Sequence, residues 1–158
     1  MQPLTPFLWF DTQAEDAANF YVSIFPNSRI VNVARYGAAG PGPRGSVMTV
    51  QFELQGQPFI ALNGGPHYKF SEAVSFSVPC ETQEEVDLYW TKLTAGGGQE
   101  GPCGWLKDKY GLSWQVNPTI LGRMLSDPDP QKSKRVMEAM LKMKKIEIEP
   151  LRKAYDGQ

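Results

Sequence analysis

The chain has 158 residues, 41% of them apolar and 21% charged, a balance that excludes wholesale disorder and suits one domain or two small fused modules. Its formal charge of -1 argues against a general polyanion binder, and no apolar run approaches the roughly 20 residues of a membrane span. Two cysteines, Cys80 and Cys103, make no disulfide framework. With no basic, apolar leader at Met1–Thr5, they point to a reducing cytoplasmic setting.

Leu4 to Phe10 is a short aromatic run and predicts a strand. Thr12 and Glu15 have capping-box spacing, and Ala17, Phe20, Tyr21 and Ile24 then recur at helical intervals until Pro26-Asn27 stops the helix. Three strand-like runs follow, at 29–36, 46–54 and 58–63. A Gly/Pro loop over 37–45 separates the first two, and a Gln55-Gly56 turn joins the last two.

The pattern then begins again. Residues 72–79 alternate as a strand, and Thr82 and Glu85 repeat the cap. Val86, Tyr89, Trp90 and Leu93 make a helix face that Gly96-Gly97-Gly98 ends. Short strands are expected near 99–101, 104–107 and 112–117, with a turn at 108–111. Thr12-Gln13-x-Glu15 and Thr82-Gln83-x-Glu85 stand 70 residues apart, each after an aromatic-containing strand. A strand-helix-three-strand unit therefore occurs twice.

From Thr119 the chain changes character. Asp127-Pro128-Asp129-Pro130 breaks it and starts a helix near Gln131. Eight Lys or Arg and three Glu between 131 and 153 make this tail basic. Val136, Met140 and Met143 are spaced for one buried face, widened by Met137 and Leu141, and Pro150 is expected to interrupt before a last short turn. The apolar stripe, without interleaved aromatic stacking groups, argues for a docked helix rather than a nucleic-acid site.

A doubled βαβββ unit with Tyr or Trp on the helix and an Asp-x-x-Gly turn before the last strand resembles the vicinal oxygen chelate superfamily of glyoxalases, extradiol dioxygenases and antibiotic-resistance proteins. Thr5-Pro6-Phe7-Leu8-Trp9-Phe10, Ala61-Leu62-Asn63-Gly64-Gly65 and 105–116 are similar to its PhnB-like branch, which often carries the label 3-demethylubiquinone-9 3-methyltransferase. The resemblance implies an α+β fold. Two βαβββ modules, about 3–65 and 72–118, would form a glyoxalase-like curved sheet over residues 3–118, with a helical extension over 119–158. It also implies a homodimer and a cavity for a small molecule.

Strand parity places Leu8, Phe10, Val74, Phe76, Val78, Trp114 and Val116 against the helices. It turns Phe7, Trp9, Ala61, Asn63, Ser75, Ser77, Ser113 and Gln115 toward the cavity. Metal-dependent members of the superfamily take His and Glu from the first and last strands of each module. The matching positions here, Thr5 or Phe7, Asn63, Ala73 or Ser75, and Gln115, carry no imidazole or carboxylate. No metal and no cofactor are therefore expected. Gly37–Gly45 leads into a strand rather than a helix N-terminus, which argues against a nucleotide-sulfonium cofactor and a P-loop.

The lone His67 lies in a loop at a strand end, where it would be a polar group at the cavity rim. Cys103, between Pro102 and Gly104 and beside Trp105, could present a thiol. The candidate ligand-binding residues are thus Phe7, Trp9, Asn63, His67, Ser75, Cys103, Trp105 and Gln115. Catalytic residues are not identified. A binding protein for a small, partly apolar molecule is the preferred reading. An enzyme of the superfamily (lyase, isomerase or dioxygenase) or a methyltransferase is the alternative.

Overall fold

The computed structural model describes residues 1–158. They divide into two compact units, residues 1–70 and 71–158, the second containing the whole tail. In chain order the first unit holds β1 (Phe7–Phe10), α1 (Ala14–Ile24), β2 (Arg29–Arg35), β3 (Val47–Leu54) and β4 (Gln57–Asn63). The second holds β5 (Ser75–Cys80), α2 (Gln83–Thr94), β6 (Gln99–Glu100), β7 (Trp105–Lys107) and β8 (Ser113–Pro118), then α3 (Thr119–Leu125), α4 (Pro130–Met140) and α5 (Ile148–Asp156). The two sheets have equivalent orders, β1-β4-β3-β2 and β5-β8-β7-β6, and in each only the first pair is parallel. The sequence duplication is therefore a duplication of topology. No helix is long and apolar enough to cross a membrane.

In the first unit α1 lies on β3 and β4 and buries Ala17, Ala18, Tyr21 and Ile24 against Val50, Phe52, Phe59 and Ala61. The two alanines let the helix approach closely. Phe52 stacks between Phe59 and Tyr21, with centroids 5.4 and 6.2 Å away. The β3–β4 hairpin turns at Gln55 and Gly56, with φ of 51° and 83°, as a two-residue turn with two left-handed positions requires. In the second unit Val86, Trp90 and Leu93 of α2 pack with Val78, Leu106, Trp114 and Val116 on the matching face.

The repeated cap is realised only once. Thr82 accepts from Glu85 N at 3.2 Å, and the Glu85 carboxylate returns to Glu81 N at 2.6 Å, one residue before the cap. In the first unit neither Thr12 nor Glu15 caps α1. Asn63, at the end of β4, instead accepts from Ala14 N at 2.8 Å, satisfying one amide of the first turn.

Register corrects the expected faces of β4. Leu8 pairs with Ala61 and Phe10 with Asn63, and residues directly opposite one another share a face. Ala61 and Asn63 therefore lie on the helix side, while Ile60 and Leu62 share the other side with Phe7 and Trp9. Five consecutive apolar residues, Pro58 to Leu62, give this strand no polar alternation from which its parity could be read. Val74, expected to pack on a helix, precedes β5 and is 64% exposed.

The tail is a small helical cluster around Leu121, Met124, Val136, Ile146 and Leu151. Asp129 caps α4, accepting from Gln131 N at 2.9 Å, with Pro130 at the first helical position. Met140 and Met143 pack as expected, but Met137 and Leu141 are 41% and 62% exposed and do not widen the buried face. Pro150 does not interrupt. It sits in the first turn of α5, where a missing N–H costs nothing. The 119–125 helix had no sequence signal of its own.

Three contacts fasten the tail to the second sheet and α2. Cys103 N and Gly104 N donate to the carbonyls of Met143 and Lys144 at 2.9 and 2.7 Å. The Gln83 amide donates to Ile146 O at 3.1 Å and accepts from Ile148 N at 2.7 Å, behaving as a short piece of β-ladder. Lys145 bridges Asp87 and Glu147 at 2.6 and 3.4 Å. This raises the lysine above its ordinary range and lowers Asp87, in each case mainly through the hydrogen bond they share.

Candidate functional site

The eight candidate residues fall into three places. Phe7 and Trp9 lie on the helix-free face of the first sheet. Phe7 is 59% exposed, whereas Trp9 is half-buried and fixed by its indole N–H, which donates to Gly65 O at 2.8 Å. Tyr68 meets the Trp9 ring edge-on at 4.9 Å. A side chain at Gly64 would fall inside that ring, so the turn after β4 needs glycine there.

Asn63 and His67 line a different feature, a cleft of about 740 Å³ between the start of α1 and the 37–45 loop. The Asn63 amide is already engaged, accepting from Ala14 N and donating to Val47 O at 3.1 Å. The Gly/Pro loop wraps the buried Tyr36, whose hydroxyl donates to Asn63 O at 2.6 Å. Asp11, Glu15 and Asp16 border this cleft together with His67. Nevertheless, no group of three or more His, Cys, Asp or Glu anywhere in the chain is arranged to hold a metal ion.

The remaining four, Ser75, Cys103, Trp105 and Gln115, come together on the helix-free side of the second sheet. Alternation along β5, β7 and β8 turns Ser75, Ser77, Trp105, Lys107, Ser113, Gln115 and Asn117 to this side, because Ser113 pairs with both Ser75 and Lys107 and Gln115 with both Ser77 and Trp105. Gln115 Nε2 donates to Ser75 Oγ at 2.9 Å, and Asn117 Nδ2 to Gln115 Oε1 at 3.4 Å. A polar row thus crosses two strands beside the Trp105 indole.

Two clefts open on this side, with Trp105 in the wall of both. One, of about 440 Å³, is bounded by Ser77, Cys103, Gln115 and Asn117 and by Leu121, Leu125 and Met140 of the tail. The other, of about 450 Å³, is bounded by Glu72, Gln99, Gly101, Pro102, Lys107 and Ser113. Cys103 adopts a left-handed φ of 56° while its backbone docks the tail, and its thiol reaches Met140 O at 3.6 Å. Lys107 pairs with Glu72, which lowers the Glu72 carboxyl from its ordinary value chiefly through that hydrogen bond. Cys80, by contrast, lies fully buried on the helix side. Burial, then the charges of Glu85 and Glu81, push its thiol up to about 12.

Sequence reasoning left Lys107, Asn117 and the tail residues out of the candidate set. The first two carried a usable signal, each standing two residues from a chosen partner on the same strand and hence on the same face. Leu121, Leu125 and Met140 carried none, since only the docking of the tail brings them to the sheet.

A family model described as 3-demethylubiquinone-9 3-methyltransferase matches residues 2–117. Among solved structures, the PhnB protein from Bacillus cereus is 39% identical, with a TM-score of 0.66 over 75% of this chain and 100% of its own. Protein PA1353 from Pseudomonas aeruginosa is 17% identical, with a TM-score of 0.61 over 75% of this chain and 98% of its own. A genomically encoded fosfomycin resistance protein from Listeria monocytogenes is 14% identical, with a TM-score of 0.55 over 80% and 98%. The last two likenesses establish the fold alone, the α+β glyoxalase-like arrangement of duplicated modules. No curated protein matches the chain.

Proposed function

The chain belongs to the 3-demethylubiquinone-9 3-methyltransferase (PhnB-like) family, and from that premise we propose that it binds a small, partly apolar molecule on the helix-free side of its second sheet, without a catalytic metal. The observation that carries the reading is the hydrogen-bonded row Ser75–Gln115–Asn117 set beside the Trp105 indole. An aromatic wall supplies contact area, and a few oriented amide and hydroxyl groups supply direction, which is the composition of a small-molecule site. The tail adds a second apolar wall through Leu121, Leu125 and Met140.

The superfamily implies a divalent ion, and the residues on this face do not fit one. Amides, hydroxyls and an indole offer neither imidazole nor a negative donor to balance a dication, Cys103 brings a single thiol, and Glu72 is paired with Lys107. The family's name implies a methyl donor such as S-adenosylmethionine, and the topology does not fit that either. Each sheet has one parallel pair, and the Gly/Pro loop at 37–45 joins two antiparallel strands rather than opening a helix. A binding or sequestering role needs neither group. The same reading takes the protein as a homodimer in the cytoplasm. The open edge strand β1, with Phe7 59% exposed, supports pairing of chains, and light scattering that returns the mass of one chain would refute it.

The test is a fragment screen by NMR on the wild type and Gln115→Ala. The variant loses one partly buried hydrogen bond and is expected to stay within about 1.5 kcal/mol of wild-type stability. Fragments that shift the Trp105 indole N–H are expected to bind it several-fold more weakly. Unchanged affinities overturn the site, and stoichiometric zinc, nickel, iron or manganese surviving chelation overturns the metal-free reading.

A further inference from the structure

Ser113 is out of place for a purely structural residue. It is the first residue of β8, an inner strand flanked by β5 and β7, and is 1% exposed, and its Oγ is the one buried side-chain polar atom that finds no hydrogen-bond partner. Its neighbour across β5, Ser75, takes its hydrogen bond from Gln115 instead. Native interiors rarely leave such a group unmatched, because a buried hydroxyl without a partner is destabilising. An alanine or valine would fit a β-strand here without that penalty.

Ser113 is a wall residue of the cleft of about 450 Å³, and the residue paired with it on β7 is Lys107. The other walls are the Trp105 ring, the Gly101-Pro102 turn and Gln99, which pairs with Lys107 across β6. Glu100, also in the wall, is engaged by the Trp90 indole N–H at 2.8 Å. The lysine's partner, Glu72, precedes β5, and its side chain is 61% exposed. An ion pair this open to water is weak and exchanges readily for another anion.

Resting on the proposed binding role of this face, we infer that this cleft is a carboxylate subsite, in which Ser113 donates its hydroxyl and Lys107 its ammonium to the two oxygens of a planar carboxylate. The apolar body of the ligand lies along Trp105. A carboxylate matches the donors in number: one buried O–H and one cation for two oxygens. A phosphate group would bring a second negative charge beside Glu72 and Glu100, both in the wall. Lys107 exchanges Glu72 for the ligand, and the freed Glu72 carboxylate turns to the water that already surrounds it.

The experiment titrates the full-length chain with 2-naphthoate and with the uncharged 2-naphthylmethanol, reading backbone and indole N–H shifts by NMR, on wild type, Ser113→Ala, Lys107→Gln and Glu72→Gln. The subsite requires naphthoate to shift Ser113, Lys107 and the Trp105 indole. It requires Ser113→Ala and Lys107→Gln each to weaken naphthoate by about tenfold while leaving the alcohol within about twofold. Glu72→Gln, which removes the competing anion, is expected to tighten naphthoate severalfold, a change that a destabilised variant would not give. An alcohol that binds as tightly as the acid overturns the subsite and leaves the small-molecule reading standing. Silence from both probes on this face overturns both.

Discussion

Replacing Asp108 by alanine is expected to cost the second unit about 2–6 kcal/mol. Asp108 is 3% exposed, and its carboxylate accepts from Tyr110 N at 2.8 Å, Leu112 N at 3.1 Å and the Trp114 indole at 2.8 Å. It thereby closes the turn between β7 and β8 and pins the ring between Ser113 and Gln115. In the alanine variant Leu112 N and Trp114 Nε1 lose their acceptor where residues are about 3% exposed, at about 1–3 kcal/mol each. The half-buried Tyr110 N can turn to water.

Asparagine separates the two halves of this network. It keeps an acceptor for the turn amides but sets an NH2 against the indole N–H, at about 1–3 kcal/mol. Trp114→Phe removes that donor, so Asp108→Asn should cost less in the Phe background than alone, a coupling that a double-mutant cycle reads directly. Urea unfolding followed by far-ultraviolet circular dichroism supplies all four stabilities. An alanine variant within about 1 kcal/mol of wild type, or an asparagine cost that is the same in both backgrounds, refutes the network as the turn's anchor.

The cysteines should differ sharply. With Cys80 pushed up to about 12, roughly one part in 10⁴ is thiolate at pH 8. Iodoacetamide should therefore modify the half-buried Cys103 in the native protein and both residues only in urea, as read by peptide mass spectrometry, and native labelling of Cys80 contradicts its burial. The Lys145–Asp87 bridge should be worth no more than about 1 kcal/mol near neutrality because both side chains are substantially exposed. Asp87 is lowered on folding, so its share is present above the usual aspartate range and is lost as pH falls through the folded value. Lys145 is raised, so its share is present below the usual lysine range and is lost as pH rises through the folded value. Urea midpoints of Lys145→Gln should converge on wild type at both extremes, and a difference that persists in strong acid refutes the pairing.

Much of the architecture could be read from residue order because it rests on local physics. Period-two and period-3.6 apolar spacing, the Gln55-Gly56 turn, the Asp129-Pro130 helix start and the Thr82-Gln83-x-Glu85 cap each act through neighbours a few residues away, and each appears where its chemistry places it. Met137 and Leu141 show the limit of such patterns, since helical spacing admits them to a face whose actual width depends on what docks there.

What the tertiary structure decided is which strands stand opposite which residues. Asn63 reads as a cavity group until its pairing with Phe10 turns it to the helix side, where it bonds the first amide of α1 from 49 residues away while Thr12 makes no cap. Ser113 reads as one small polar residue among several until β5 and β7 close over it and leave its hydroxyl unmatched. Met140 joins a cleft because the 101–104 turn hydrogen-bonds the segment that follows α4. Alternation along a strand is set by its own covalent geometry, whereas register and docking are settled by the summed packing of distant segments, which no short stretch of sequence encodes.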